Sequence, residues 1–165
     1  SIGLVFIFCR LMLIVINVSG PSMMPCLKQG DTVLAIRFWP SKWLRRGQIV
    51  IVTSRGLPAN EAEKSPNTAY IKRIVGLPGD ELKKQDFELE FQTDQVSTKE
   101  KSRLFWHVPP GHIFVCGDNL TVSIDSRTWG PIPWRNVSGI VVKRLKSNSE
   151  AVLHRAGTLS SDDPA

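Results

Sequence analysis

Ser22 stands in a setting that could support chemistry, a turn that directly follows an apolar segment. It lies in Gly-Pro-Ser-Met-Met-Pro, between two prolines. Each proline fixes its own φ and restricts the residue before it, so the segment is a rigid, non-helical turn that can present a hydroxyl and a backbone N–H outward. Alone, such a tetrapeptide is more typical of a plain turn. A serine nucleophile also needs a base to take its proton.

Lys72 is the better candidate base. It stands in Tyr-Ile-Lys-Arg-Ile-Val, a predicted buried strand in which alternation places it on the same face as Tyr70 and Ile74. Burial disfavours the charged ammonium and lowers the pKa of the amine from about 10.4, and a neutral amine can accept the serine proton. A strand-end lysine that reaches water is the alternative. The three histidines stand in no recognisable nucleophile–base context: His107, His112 and His154.

The third segment with chemical potential covers residues 117–127. A tight Gly-Asp-Asn turn is followed by Ser123 and by an acidic and a basic residue, Asp125 and Arg127. The last two are close enough to pair across an extended backbone. A surface turn with one ion pair would explain this segment locally.

The elements that must position these residues are predicted to be strands. After residue 20, short runs of β-branched and aromatic residues alternate with turn signals, which predicts an all-β domain. The polar stretches 54–68 and 92–102 are predicted loops or insertions, and the polar residues 147–165 a flexible tail without a functional role. The predicted strands are Thr32–Arg37, Gln48–Thr53, Ala69–Val75, Glu81–Leu89, Leu104–Val108, His112–Cys116 and Val137–Leu145.

The N-terminal segment is an apolar run of seventeen residues, 2–18, interrupted by Arg10. A spanning helix needs about 20 apolar residues, and an arginine near its middle costs roughly 2.5–3.5 kcal/mol on insertion scales. We predict a transmembrane or signal-anchor helix over residues 1–18, extended upstream because the chain begins with Ser. A cleavable signal peptide lacks support, since there is no basic n-region and no Ala-x-Ala-like site. A buried core helix is the other alternative.

The amino-acid composition limits the classes of molecule that the chain is expected to bind. The chain has 165 residues, 21 Lys and Arg against 15 Asp and Glu, and 42% hydrophobic residues, which predicts one globular domain rather than disorder. The net charge of +6 lies entirely in residues 1–60, beside the apolar segment. No nucleic-acid-reading helix or aromatic-lined sheet surface accompanies it, so an anionic lipid surface is favoured over nucleic acid. Three scattered cysteines predict neither a disulfide framework nor a metal site.

The run at residues 38–46, Phe-Trp-Pro-Ser-Lys-Trp-Leu-Arg-Arg, has the composition of a membrane-interface patch. Tryptophan and basic side chains favour the headgroup level of a bilayer. We expect Arg45 and Arg46, beside Trp39 and Trp43, to contact headgroups. A solvated loop with a partly buried tryptophan is the alternative.

The order of the three chemical segments is informative. Ser-Met-x-Pro at 22–25, Lys-Arg-Ile-Val-Gly-x-Pro-Gly-Asp at 72–80 and Gly-Asp-Asn-x-x-x-Ser-x-Asp-Ser-Arg at 117–127 follow the apolar run in that order. Together they resemble the type I signal peptidase family, membrane-anchored Ser/Lys endoproteases, over about residues 1–145. The resemblance implies a signal-peptidase-like peptidase β domain over residues 19–146, behind a single N-terminal transmembrane helix.

The resemblance also implies a role for each matching residue. Ser22 is then the nucleophile and Lys72 the general base. In some relatives the residue two before the nucleophile is a serine whose hydroxyl is the second oxyanion donor beside the nucleophile's own N–H; here that residue is Gly20, and Ser19 is a candidate in its place. The remaining matches are Ser123, which orients the lysine amine; Asp125 and Arg127, the supporting ion pair; Gly117 and Asp118, the turn beside the site; and Met23, which faces the substrate pocket and the bilayer.

The short domain and Asp-Ser-Arg-x-x-Gly-Pro-Ile-Pro are similar to mitochondrial inner membrane protease subunits, and Arg127 favours the subunit-1-like type. The resemblance implies removal of N-terminal signal or sorting sequences by acyl-enzyme hydrolysis, without a cofactor, on the intermembrane-space side of the mitochondrial inner membrane. A bacterial plasma-membrane enzyme with its domain outside is the alternative location. The implied partners are precursor proteins, the lipid bilayer and a second peptidase subunit. A catalytically silent partner subunit is the alternative function, against which the intact Ser22, Lys72 and Ser123 argue.

Overall fold

The computed structural model of the protein describes residues 12–37, 40–53, 68–87 and 105–147. Strands dominate these ranges, as the β-branched runs predict, so the all-β expectation is confirmed there. The strands are β1 (Leu13–Asn17), β2 (Thr32–Ile36), β3 (Ile49–Thr53), β4 (Ala69–Gly76), β5 (Glu81–Lys83), β6 (Phe105–His107), β7 (His112–Cys116), β8 (Ile132–Pro133) and β9 (Val137–Lys146).

Two antiparallel sheets organise the strands. The larger sheet has seven strands in the order β1-β2-β9-β3-β4-β7-β8, and β5 pairs with β6 in a separate two-stranded sheet. Short helical turns connect them: α1 (Ser126–Trp129) and the 3₁₀ turns Ser41–Trp43, Lys84–Asp86 and Trp134–Asn136. β4 lies between β3 and β7, so the segment that carries Lys72 is supported on both sides over part of its length.

β1 corrects the expected end of the anchor helix. The sequence analysis extends that helix to residue 18, whereas residues 13–17 form a strand that pairs antiparallel with β2 along its whole length. Leu-Ile-Val-Ile-Asn is rich in β-branched residues, and its alternate side chains Ile14 and Ile16 are half-buried while the others are exposed. This period of two is that of a strand on the edge of a sheet.

The rest of the predicted anchor, residues 1–11, lies outside the described residues. None of the helices in the described part of the chain combines the length and the hydropathy needed to cross a bilayer.

Most predicted strands are confirmed within one or two residues, and β7 has the predicted bounds. The strand predicted over 81–89 is too long, because β5 ends at Lys83 and a 3₁₀ turn follows. That turn brings the Phe87 ring to 6.1 Å from Trp106 and 6.2 Å from Phe114, centroid to centroid, so packing ends the strand. The predicted loops and tail lie almost entirely outside the described residues.

The core shows that the large sheet bends back on itself. One buried cluster lies between β3, β4, β7 and β9 and includes Val50, Ile74 and Val115. A second unites Met23 with residues from strands that lie far apart in the sheet order, since Ile16 near the end of β1 and Ile71 in β4 pack against the same group although three strands separate β1 from β4. Register shifts between β2 and β9 permit such bending. The bend therefore brings the end of β1, and the Ser22 turn after it, beside β4.

Candidate active site

Lys72 is buried in β4 with 2% of its surface exposed. Ile74, on the same face, is fully buried, as the alternation predicts. Among the described residues no carboxylate lies within salt-bridge distance of its Nζ, and the centroid of the Tyr70 ring is 5.8 Å from this atom. Burial lowers the pKa of Lys72 below 10.5, and the charge of Asp125 offsets this only in part. The alternative of a lysine that reaches water is therefore wrong.

Ser22 lies half-buried in the turn between β1 and β2. Two backbone hydrogen bonds fix this turn: the Asn119 N–H donates to the Ser22 carbonyl at 2.9 Å, and the Leu27 N–H donates to the Met23 carbonyl at 2.8 Å. The first bond joins the Ser22 turn directly to the Gly-Asp-Asn turn after β7. Two of the three segments singled out in the sequence are thus in contact through their backbones.

Gly20 has φ of +82°, in the left-handed region that favours glycine. A Cβ there would meet nothing within 4 Å, so the requirement is conformational rather than steric. The backbone conformation therefore explains why this chain has glycine where some relatives have serine. Ser19 and Ser22 both line one small pocket.

Gly117 packs between Ser22 and Ser123. A Cβ at this position would overlap the Ser22 carbonyl oxygen and the Ser123 side chain, so only glycine permits the approach. The Ser123 Oγ is buried and forms no hydrogen bond of good geometry in the described ranges, although it lies close enough to Asp125 to help lower the pKa of that carboxyl group. A buried hydroxyl without such a bond loses its hydration, which makes it ready to bond a group that moves or binds beside it.

Asp125 joins the Gly117 turn to α1. Its carboxylate accepts from the Gly117 N–H at 2.9 Å, from the Arg127 N–H at 3.1 Å, and from the Arg127 Nε and Nη2 at 2.9 and 3.0 Å. Although burial acts to raise it, the hydrogen bonds from Arg127 and Gly117 hold the pKa of Asp125 below 3.8. The predicted ion pair is present. The extended backbone expected between the two residues is wrong, because Asp125 caps the helical turn that Arg127 belongs to.

Asp118 binds a residue to which the sequence analysis gave no role. Arg73 donates to its two carboxylate oxygens from Nε at 2.7 Å and from Nη2 at 2.6 Å, and donates from Nη1 to the Gly47 carbonyl at 2.6 Å. The hydrogen bond that Arg73 donates to Asp118 is the main reason that the pKa of Arg73 is raised. This pair fastens the turn after β7 to the face of β4 opposite Lys72.

A small pocket of 110 Å³ opens beside Ser22. Met23 lines it and is 1% exposed, which agrees with the predicted pocket role. The expectation that Met23 also faces the bilayer is wrong for this conformation, because its side chain is enclosed by the second core cluster; Met24 is the exposed neighbour. The lining residues are Ile16, Asn17, Val18, Ser19, Ser22, Met23, Ile51, Ala69, Tyr70 and Ile71.

Comparison with known proteins decides the family. Residues 1–145 match the family described as "Signal peptidase, peptidase S26". The chain belongs to the signal peptidase family. The resemblance to type I signal peptidases that the three motifs predict is therefore confirmed.

Several curated signal peptidase relatives are similar to this chain. Mitochondrial inner membrane protease subunit 1 of Homo sapiens is 33% identical over 153 residues, covering 90% of this chain and 81% of that protein. Mitochondrial ATP-independent inner membrane protease subunit 1b of Arabidopsis thaliana is 35% identical over 128 residues, 76% of this chain and 66% of that protein. Thylakoidal processing peptidase 1 of Arabidopsis thaliana is 34% identical, with 78% and 40% covered. The predicted likeness to the subunit-1 type is confirmed.

One solved structure with the same family name also matches. It is a signal peptidase I from Enterococcus faecalis, with a TM-score of 0.40 and 24% identity, covering 61% of this chain and 97% of that one.

Beside Arg73, this signal peptidase site contains further residues that the sequence analysis left without a role. Tyr70 lines the Ser22 pocket, lies near Lys72, and packs its ring 5.4 Å from that of Trp129; its position two before Lys72 was the available clue. Cys116 is buried, and burial followed by the charge of Asp125 raises the pKa of its thiol to about 12. A thiol kept protonated is not a competing nucleophile.

Proposed function

We propose that this protein is a membrane-anchored serine endopeptidase that removes N-terminal signal or sorting sequences from precursor proteins. Ser22 is the nucleophile and Lys72 the general base. The observation that carries the proposal is Lys72, which directly follows the pocket-lining residues Tyr70 and Ile71 in β4. It is buried, has no carboxylate partner among the described residues and has a lowered pKa. Membership of the signal peptidase family supports the same reaction class.

The first chemical step forms the acyl-enzyme precursor. The neutral Lys72 amine takes the proton of the Ser22 hydroxyl while the Ser22 oxygen forms a bond to the scissile carbonyl carbon. The carbonyl oxygen becomes an oxyanion, which the Ser22 N–H stabilises as one donor. Ser19 is the proposed second donor, since it lines the same pocket and Gly20 has no hydroxyl.

The next steps release both products. The scissile C–N bond breaks, the Lys72 ammonium gives its proton to the leaving amine, and an ester remains on Ser22. Lys72, neutral again, takes a proton from a water molecule whose oxygen attacks the ester carbon. The C–O bond to Ser22 then breaks, the serine regains its proton, and the second product leaves as a carboxylic acid.

Ser123 and the Asp125–Arg127 pair are proposed to orient and tune the base. The Ser123 hydroxyl, buried and without a hydrogen bond of good geometry in the described ranges, can accept a hydrogen bond from the Lys72 amine. Asp125 holds the Gly117 backbone, but its negative charge also acts to raise the pKa of Lys72, while the charge of Arg127 acts to lower it. Pairing Asp125 with Arg127 therefore keeps the anchoring carboxylate without turning Lys72 into a permanent ammonium.

The substrate is proposed to bind as an added strand. β7 pairs with β4 only from Arg73 onward, so on that side residues 69–72 have no neighbouring strand among those described. An extended peptide can pair with such an edge and place alternate side chains in pockets. The 110 Å³ pocket fits a small side chain near the cleavage point.

We place the enzyme in the mitochondrial inner membrane, anchored by the apolar residues before β1, with its catalytic domain in the intermembrane space and a second peptidase subunit as partner. The names of the human and Arabidopsis relatives, which are inner membrane protease subunits, support the location. Protease protection in isolated mitochondria and mitoplasts tests the orientation. Affinity purification from the same membranes tests the partner, and a monomer that is fully active alone would contradict it.

Cleavage of precursor proteins by the full chain in liposomes tests the function. Wild type should cleave, whereas Ser22→Ala and Lys72→Met should not. Ser138→Ala and Lys143→Met, exposed residues of the same types on β9, serve as matched controls and should remain active. Undiminished cleavage by either dyad variant would refute the mechanism, and sequencing of the new N-termini identifies the cleavage-site preference.

A further inference from the structure

A second and larger pocket lies at the opposite end of β7 from Gly117. Its volume is 480 Å³, and it shares no lining residue with the Ser22 pocket. Its walls are mostly apolar, and Lys42 is the one charged side chain among the described residues that line it. The walls come from the segment after β2, the turn after β4, the start of β7 and the 3₁₀ turn before β9, with Leu44, Leu77, Pro78, Ile113 and Trp134 as the large side chains.

In the described part of the chain, basic residues flank this pocket along the sequence: Lys42 lines it, and Arg45 and Arg135 directly follow the lining residues Leu44 and Trp134. Lys42, Arg45 and Arg135 are exposed and form no salt bridge with any residue in the described ranges. Asp80, two residues past the pocket wall, accepts hydrogen bonds from both Nε and Nη2 of Arg46, so its charge is already paired. The Arg46 side chain remains 61% exposed, so the expectation that it contacts headgroups stays a prediction.

Two tryptophans stand at the same place. Trp134 is 40% exposed and lines the pocket, and Trp43, next to Lys42, is 55% exposed. Exposed tryptophans beside an apolar pocket are uncommon on a monomeric soluble protein, and such clusters mark interaction sites. Tryptophan with lysine and arginine is the combination favoured at the headgroup level of membranes.

The position of the pocket in the fold selects the partner. Leu13 at the start of β1 pairs with Ile36 at the end of β2, and the Arg37 N–H donates to the Met12 carbonyl at 2.7 Å. The chain toward Lys42 therefore leaves the sheet beside the point where the apolar N-terminal segment enters it. Five residues span at most about 18 Å. If that segment is the anchor, as the proposed function has it, Lys42 lies within this distance of the membrane exit.

We propose that this pocket binds an anionic phospholipid of the surrounding bilayer. The acyl chain lies against Leu44, Leu77 and Trp134, and the negative headgroup is bound by Lys42, Arg45 and Arg135. Uncompensated positive charge beside the anchor favours a lipid over an apolar peptide segment. The site would fix the distance between the peptidase domain and the bilayer.

Quenching of tryptophan fluorescence by brominated lipids tests the site directly. The full chain carrying Ser22→Ala is reconstituted in liposomes of brominated phosphatidylglycerol or brominated phosphatidylcholine. We expect the anionic lipid to quench at least twice as strongly, Trp134→Phe combined with Trp43→Phe to remove most of the difference, and Trp134→Phe or Lys42→Glu alone to reduce it. Lys143→Glu, an exposed cation outside the pocket, should leave it unchanged. Quenching does not depend on catalysis, so this experiment tests lipid binding independently of the proposed peptidase activity.

Four results would overturn the proposal. Equal quenching by the two lipids would exclude charge selection, and an anionic-lipid difference left undiminished by Trp134→Phe and by Lys42→Glu would place the contact elsewhere. Quenching that decreases as the protein-to-lipid ratio rises would assign the pocket to a second copy of the chain. Displacement of the brominated lipid by glycerol phosphate would mean that a free phosphate, rather than a phospholipid, is recognised.

Discussion

The two faces of β4 carry neighbouring cations in opposite environments. Lys72 lies on the same face of β4 as Ile74 and is almost fully buried. This burial lowers its pKa. Arg73 lies on the other face, donates three hydrogen bonds to Asp118 and Gly47, and its pKa is raised. The strand, the backbone conformation and the sign of the charge are the same on both sides.

The comparison shows that the residue type and its partners together decide whether a cation can exchange a proton. A buried amine without a carboxylate partner loses hydration and gains no pairing, so its neutral form is favoured. A guanidinium with two charge-assisted bonds to one carboxylate stays charged and fixes geometry. One face of β4 is therefore suited to a base and the other to a structural tie.

Removing the amine from the Lys72 face is expected to have the largest effect. Lys72→Met should lower kcat about 10³-fold or more, because base and acid are lost together. The melting temperature should stay level or rise, since an apolar side chain replaces a buried amine. Lys72→Arg should be equally inactive because it stays protonated. Precursor cleavage and thermal unfolding measure both quantities, and an active Lys72→Arg would break the contrast between the faces.

Disturbing the same site while the base stays in place should have the next largest effect. In Gly117→Ala the added Cβ overlaps the Ser22 carbonyl and Ser123, so the nucleophile turn must shift. A displacement of about 1 Å can lower the rate about 10²-fold. Single-turnover cleavage measures the loss. Gly79→Ala is the comparison: its φ of +90° strains an alanine although a Cβ there meets nothing within 4 Å, so it reports the effect of destabilisation without a clash at the Ser22 turn. A normal rate in Gly117→Ala would show that the two turns are not coupled.

The charge balance around Lys72 can be tested through pH. Activity needs the neutral amine, so the rate should rise with pH as Lys72 loses its proton, with a midpoint below 10.5. Arg127→Met leaves the charge of Asp125 uncompensated, which stabilises the Lys72 ammonium and should move that rise to higher pH. At pH 7 the rate should decrease about tenfold, and Arg127→Lys should recover part of it. An unshifted pH profile of kcat/KM in Arg127→Met would contradict this balance.

Breaking the tie on the Arg73 face should have the smallest effect on the reaction. Asp118→Asn weakens the bonds to Arg73, which are partly exposed, and should lower the free energy of unfolding by about 1–2 kcal/mol. We expect a decrease in melting temperature with kcat reduced no more than a few-fold. Asp86→Asn, an exposed acid outside the four salt bridges of the described residues, is the control. A large loss of kcat without a loss of stability would reverse the assignment of the two faces.

The sequence analysis predicted the burial of Lys72 because period-two alternation is a local property of the chain. The β-branched runs predicted most strands for the same reason, and the order of three motifs predicted the family. β1 was missed because an apolar run has the same hydropathy in a helix and in a strand, and the pairing with β2 decides between them. Arg73 was passed over because its partner Asp118 lies 45 residues further along the chain.

The sequence by itself determined which residues could react and which strands would carry them, since residue type, alternation and turn chemistry are all local. Only the tertiary structure decided which of those residues meet. The bend of the sheet places the end of β1 beside β4, buries Met23 instead of exposing it, and leaves Ser123 without a hydrogen bond of good geometry in the described ranges. It also pairs Arg46 with Asp80 while Lys42 and Arg135 stay exposed around an apolar pocket. Contacts between distant segments depend on how the whole sheet packs, and no single stretch of sequence contains that information.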